Sequence, residues 1–162
     1  MKGGSVIETL KEILSDPTFQ EGNAWRRQLF HDKDIIVKAG DIGDSLFFIE
    51  EGDLRVMGYV ELENNRHVKP GYSDLHQGDI FGETCLKGKY KRTATVTAIS
   101  DGHLLKIDGE KLNLYFDEHP NQGYIFYKTL FSILIDRMKN ANLRVENLLA
   151  WGLKVHGIEK HL

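Results

Sequence analysis

A chain of 162 residues, 41% of them hydrophobic, is long enough for one domain with a buried core. Its 24 Asp and Glu against 21 Lys and Arg leave a formal charge of -3, which argues against a basic nucleic-acid-binding surface, and its one cysteine, Cys85, excludes an internal disulfide. Met1 to Ser5 lacks the apolar core of a signal peptide. The longest apolar stretch, Tyr124 to Ile135, is broken by Lys128 and too short to cross a bilayer, so a soluble, cytoplasmic chain without a membrane partner is expected.

Residues 1–24 read as a helical segment. Ser5 with Glu8 three positions later has the form of a capping box, Val6, Leu10 and Ile13 recur at helical spacing, and Asp16-Pro17 stops the run. Residues 25–108 change texture to short apolar runs parted by Gly and Asp turns: Gln28-Leu29-Phe30, Ile35-Ile36-Val37, Leu46 to Ile49, Leu54 to Val60, Thr93 to Ile99 and His103 to Ile107. Such spacing predicts a mainly β fold, an antiparallel β-roll (double-stranded β-helix or jelly roll) of about eight strands. Glu63-Asn64-Asn65-Arg66 is expected to be a hairpin turn, because Asn tolerates positive φ.

Residues 109–162 return to helical periodicity, completing a single domain. Leu112, Leu114, Tyr115 and Phe116 predict a short helix ending before Pro120, and a long helix follows to about Leu153. Within it Phe131, Leu134, Met138, Ala141, Val145 and Leu148 alternate in steps of three and four, an a/d stripe that Ile135 and Leu149 widen. That stripe has two readings, packing on its own roll and homodimerisation through paired helices. Both together are expected.

The chemistry concentrates at Gly78-Asp79-Ile80-Phe81-Gly82-Glu83-Thr84-Cys85-Leu86 and Arg92-Thr93-Ala94-Thr95-Val96. One carboxylate and one guanidinium stand nine residues apart around a Gly-flanked turn. A carboxylate accepts from sugar hydroxyls, a guanidinium forks onto phosphate, and a one-turn helix between them aims backbone N–H groups at the same anion.

This run resembles the phosphate-binding cassette of the cyclic-nucleotide-binding domains, whose pattern is F-G-E, two residues, Leu, a variable loop and P-R-[ST/A]-A-T-V. Ile35 to Gly52, with its Gly-Asp turn, resembles the family's first hairpins, so the likeness covers about residues 26 to 140. The resemblance implies a regulatory sensor of cAMP, with cGMP as the alternative, and not an enzyme. It implies ligand contacts from Phe81, Gly82, Glu83, Thr84, Cys85, Arg92, Thr93 and Ala94, with no catalytic and no metal residues. Arg92 and the N–H groups of Thr84 and Cys85 would hold the phosphate, while Glu83 and the Gly82 backbone would take the ribose 2'-OH. Thr93 bears on base choice, and Trp151, or Leu148 beside it, is the candidate lid over the base. Lys91 stands where the family has proline, and Cys85 where it has a small residue.

Rival readings remain at this point. A degenerate roll would serve protein–protein contact alone, and a cupin-like enzyme would need His-x-His, which none of the seven histidines forms. Lys87, Lys89 and Lys91 are expected to be a solvated loop that steers anions. With the sequence ending at Leu162, no DNA-binding helix-turn-helix is expected, and the output would pass to an unknown effector protein.

Overall fold

The computed structural model describes residues 6–58, 60–62, 66–68 and 71–155, and for 60–62, 66–68, 71 and 72 the backbone alone. The chain opens with helix α1 (Val6–Leu14), whose Val6, Thr9, Leu10 and Ile13 are buried at i, i+3, i+4 and i+7. Beyond its end Asp16 accepts the Thr18 N–H at 2.8 Å, closing the turn that the Asp-Pro pair predicts. Ser5 and its capping box lie outside the described residues.

Twelve strand segments follow among the described residues: β1 (Trp25–Phe30), β2 (Ile35–Val37), β3 (Ile42–Gly43), β4 (Ser45–Glu51), β5 (Leu54–Met57), β6 (Val60–Leu62), β7 (Arg66–Val68), β8 (Gly71–Leu75), β9 (Ile80–Phe81), β10 (Tyr90–Lys91), β11 (Thr95–Ala98) and β12 (Gly102–Asp108). Two four-stranded sheets, β1-β12-β4-β9 and β2-β11-β5-β8, form the roll, and the short pairs β10-β3 and β6-β7 extend it. Eight strands in these two sheets match the number expected, although β8 and β9 are not among the apolar runs named from the sequence, and each named pairing is antiparallel. In the last pair Leu62 faces Arg66, so the predicted Asn turn itself lies outside the described residues.

The continuous apolar run of β4 has a packing reason. Phe47 and Ile49 point into the roll with Phe30, Leu54, Leu75 and Leu104, while Leu46 and Phe48 point outward against the helices. A sheet covered on both faces loses the apolar–polar alternation of a half-exposed strand. The outer cluster joins α1 to the rest: Leu10 and Ile13 meet Ile107, Leu112, Phe116 and Phe126.

Helix α2 (Gly109–Glu118) starts directly after β12, with Asp108 as its N-cap accepting the Lys111 N–H at 3.0 Å. Helix α3 (Pro120–Val155) runs 36 residues, about 54 Å at 1.5 Å per residue. Its first turns are in the core through Phe126 and Leu130, and beyond Leu134 the apolar side chains emerge: Met138, Val145, Leu148, Leu149 and Trp151 are all more than half exposed. Of the a/d stripe, Leu134 packs against the core of its own roll, whereas Phe131 before it is exposed. The same three-and-four stepping reaches back to Tyr124 and Tyr127, which are exposed as well.

Candidate functional site

Between β9 and β10 the chain makes a single 3-10 turn, Glu83–Lys87, hereafter the cassette helix. Gly82 enters it at φ 80°, in the left-handed region, and a Cβ there would stand 2.8 Å from the Ser45 carbonyl oxygen. Glycine is thus required twice over, by conformation and by space. At the other end Cys85 is buried against Gly109, where a Cβ would approach its Sγ to 2.7 Å. Burial pushes the Cys85 thiol up to about 12, so the side chain is a packed hydrophobe, as expected of it.

Arg92 is carried on the backbone leading from β10 to β11. Its N–H donates to Asp41 O at 2.7 Å, and its carbonyl accepts from the Gly40 N–H at 2.8 Å. The half-buried guanidinium donates from Nη2 to Ser45 O at 2.7 Å and from Nη1 to Gly82 O at 3.3 Å, and it lies 5.5 Å from the centroid of the Phe47 ring. Phe47 is in turn stacked on Phe81, with centroids 4.8 Å apart. Two carbonyls and a ring hold the cation in place with two of its five N–H donors in use. Gly43 is also determined by this arrangement, since a Cβ there would collide with the guanidinium.

Glu83 and Arg92 face one cavity of about 340 Å³, a size suited to a small ligand. Phe81, Gly82, Thr84, Thr93 and Ala94 line it too, and Val37, Val56, Leu75 and Val96 make its apolar floor. Seven of the eight residues expected at the ligand thus share one wall. Cys85 is the exception: its side chain is behind the cassette helix, and its N–H, expected at the phosphate, donates to Gly82 O at 3.2 Å inside the turn. Lys87, Lys89 and Lys91 are exposed and absent from the cavity wall.

The helix contribution differs from expectation. Leu148 and Trp151 are 67% and 66% exposed and do not line the cavity. They lie too far along α3, past the edge of the roll. Arg137, Asn140, Ala141 and Arg144 line it instead. Arg137 places Nη1 3.8 Å from Glu83 Oε2 and donates from Nη2 to the Ile80 carbonyl, tying α3 to the entry of the cassette. A signal for these residues exists in the sequence. The row Phe126, Leu130, Ile133, Arg137, Asn140, Arg144 repeats in steps of four and three, and it changes from apolar to polar where core gives way to cavity.

Among the described residues no three His, Cys, Asp or Glu gather as metal ligands, and no helix is long and apolar enough to cross a membrane.

The roll with a Gly-entered cassette and an inward arginine defines a class, and the family model described as the cyclic nucleotide-binding domain matches residues 27–119. The chain belongs to that family. It is similar to the cAMP-dependent protein kinase regulatory subunit of Blastocladiella emersonii, 35% identical over 69 residues, and to the potassium/sodium hyperpolarization-activated cyclic nucleotide-gated channel 4 of Homo sapiens, 28% identical over 130 residues. The alignments cover 43% and 79% of this chain but 16% and 10% of those proteins, so the chain spans only a small part of either. Among solved structures, a cyclic nucleotide-binding domain from Methylobacillus flagellatus superposes with TM-score 0.66 at 19% identity, over 75% of this chain and 66% of that one. The Thermus thermophilus catabolite activator protein gives TM-score 0.61 at 23% identity, over 82% and 63%. At such identities the structural likeness establishes the β-roll fold.

Proposed function

We propose that this chain is a cytoplasmic regulatory sensor, not an enzyme, that binds a cyclic nucleotide, cAMP ahead of cGMP, in the cavity between cassette and α3. The observation that carries the reading is the convergence of Glu83, Arg92 and the Gly82–Thr84 backbone on one small cavity with an apolar floor. Arg92 takes the cyclic phosphate with its remaining N–H donors, the Thr84 N–H assists, and Glu83 accepts from the ribose 2'-OH. The Cys85 N–H joins only by releasing Gly82 O. The base lies toward Thr93 on one side and Arg137, Asn140 and Arg144 on the other, in place of a Trp151 or Leu148 lid.

Signalling follows from the Glu83–Arg137 pair. A ribose hydroxyl at Glu83 competes with Arg137, so ligand changes how firmly α3 is held against the cassette; a ligand shifts a conformational equilibrium only through such differential contacts. The exposed stripe Met138, Ala141, Val145, Leu148 supplies a homodimer seam for two parallel α3 helices. In that register Arg137 faces Asn142 and Arg144 faces Leu149 of the second copy, so no like charges oppose across it.

Isothermal titration of the chain with cAMP, cGMP and 2'-deoxy-cAMP tests the reading. Expected is binding of cAMP, weaker binding of cGMP and poor binding of the deoxy ligand. Heatless titrations with all three would leave a roll that serves protein contact alone.

A further inference from the structure

A second concavity adjoins the nucleotide cavity at Glu83 and Thr84. It is a groove of about 660 Å³ between the cassette helix and the first half of α3, walled by Leu86 on one side and by Tyr124, Phe131 and Leu134 on the other. Tyr124 and Phe131, two turns apart on the outward side of α3, are 67% and 65% exposed. From Tyr124 to Leu134 the groove follows α3 for about 15 Å, the length over which one helix lays anchors at i, i+3, i+7 and i+10 along another. Its two walls each contribute a cation, Lys87 from the cassette helix and Lys128 from α3, with the Lys128 Nζ 5.8 Å from the Tyr124 ring centroid.

We propose that this groove docks an acidic amphipathic helix of an effector protein. The apolar walls take its apolar face, and Lys87 and Lys128 meet carboxylates flanking that face. Charge separates this occupant from a second copy of the chain. The free half of α3, from Met138 to Val155, carries Lys139, Arg144 and Lys154 against the single carboxylate Glu146, so it would bring like charge to the two lysines. Glu83 and Thr84 line both the groove and the nucleotide cavity, so a docked helix touches the cassette next to the nucleotide. Docking itself needs no nucleotide, so it can fail or succeed independently of the reading above.

The test uses the full chain and two fluorescein-labelled peptides of about 20 residues with the same Leu face, one flanked by Glu and the other by Lys. Anisotropy is expected to show binding of the Glu peptide that weakens with salt, and at least about tenfold weaker binding of the Lys peptide. Phe131→Ala and Lys128→Glu should each weaken the Glu peptide about tenfold, whereas Met138→Lys with Val145→Lys should leave it unchanged. Both groove residues are exposed, and circular dichroism checks that the variants fold. Equal affinity for the two peptides, or affinity indifferent to Phe131 and Lys128, overturns the proposal. So does a peptide that competes with self-association measured by sedimentation, which would assign the groove to a second copy.

Discussion

Arg92 is the side chain on which the site turns, and its surroundings state its role twice. It is fixed by the carbonyls of Ser45 and Gly82 and by the Phe47 ring, and it faces the cavity beside Glu83. Losing one partner of a desolvated charge pair costs on the order of 3–5 kcal/mol, so Arg92→Ala should weaken cAMP at least a hundredfold by calorimetry. Arg92→Lys should recover little, because an ammonium has no fork to share between two carbonyls and a phosphate. Full affinity in either folded variant would move the phosphate elsewhere. Cys85 offers a converse case. Its thiol is buried and pushed up to about 12, so at pH 8 hardly any thiolate is present and iodoacetamide should label the native protein far more slowly than the urea-unfolded chain. Rapid native labelling would show that the cassette opens without denaturant.

Among the elements, the β5–β8 pair carries an exposed electrostatic tie that makes its strength depend on pH. Arg55 grips Asp74 across the pair, with Nε to Oδ1 at 2.7 Å, and at its end His76 Nδ1 stands 2.6 Å from Asp53 Oδ1. The hydrogen bond that His76 donates to the Asp53 carboxylate raises the His76 pKa above its ordinary 6.5, with the charges of Asp79 and Asp74 adding to it. A raised folded-state value means the histidine's contribution is fully present below the unfolded pKa and is lost as pH rises through the folded one. Thermal melts of wild type and His76→Gln should therefore differ most in mildly acidic buffer and converge in alkaline buffer. A gap that widens with pH would refute the pairing. Helix α3 shows a second division of labour along one element. Its row from Phe126 to Ile133 is core, and its continuation Arg137, Asn140, Arg144 is cavity wall. Hydrogen exchange with and without cAMP should thus change most from Arg137 to Arg144 and little in α1. Equal change in both helices would mean that the ligand acts on global stability.

For the molecule as a whole, the decisive property is the apolar seam that the monomer leaves uncovered. The exposed seam residues Met138, Val145, Leu148 and Leu149, each on the order of 100 Å², supply about half of the roughly 800 Å² per partner of a standard interface. Met138→Lys with Val145→Lys should give a monomer by sedimentation that keeps its affinity for cAMP, since neither residue lines the cavity. A dimer surviving both charges would place self-association on another surface.

Local chemistry made much of this protein legible from its residues alone. Gly82, Glu83 and Arg92 identify the cassette because only certain side chains suit a left-handed turn, a ribose and a phosphate at that spacing, and the family match bears out the recognition. The Gly and Asp turns likewise mark an antiparallel roll of about eight strands, because backbone conformation at a turn is decided within a few residues, while the division into two sheets of four is a matter of tertiary pairing. What the chain could not disclose is where distant segments meet. Ser45 and Gly82 carbonyls as the supports of Arg92, the Glu83–Arg137 pair and the groove shared by Leu86 and Phe131 all depend on how α3 lies across the roll. For that reason Trp151 and Leu148, expected at the base, stand outside the cavity wall. Periodicity reports which residues of a helix share a face, but the distance along the helix at which the roll ends is decided only by the packing of Phe126 and Leu130 into the core.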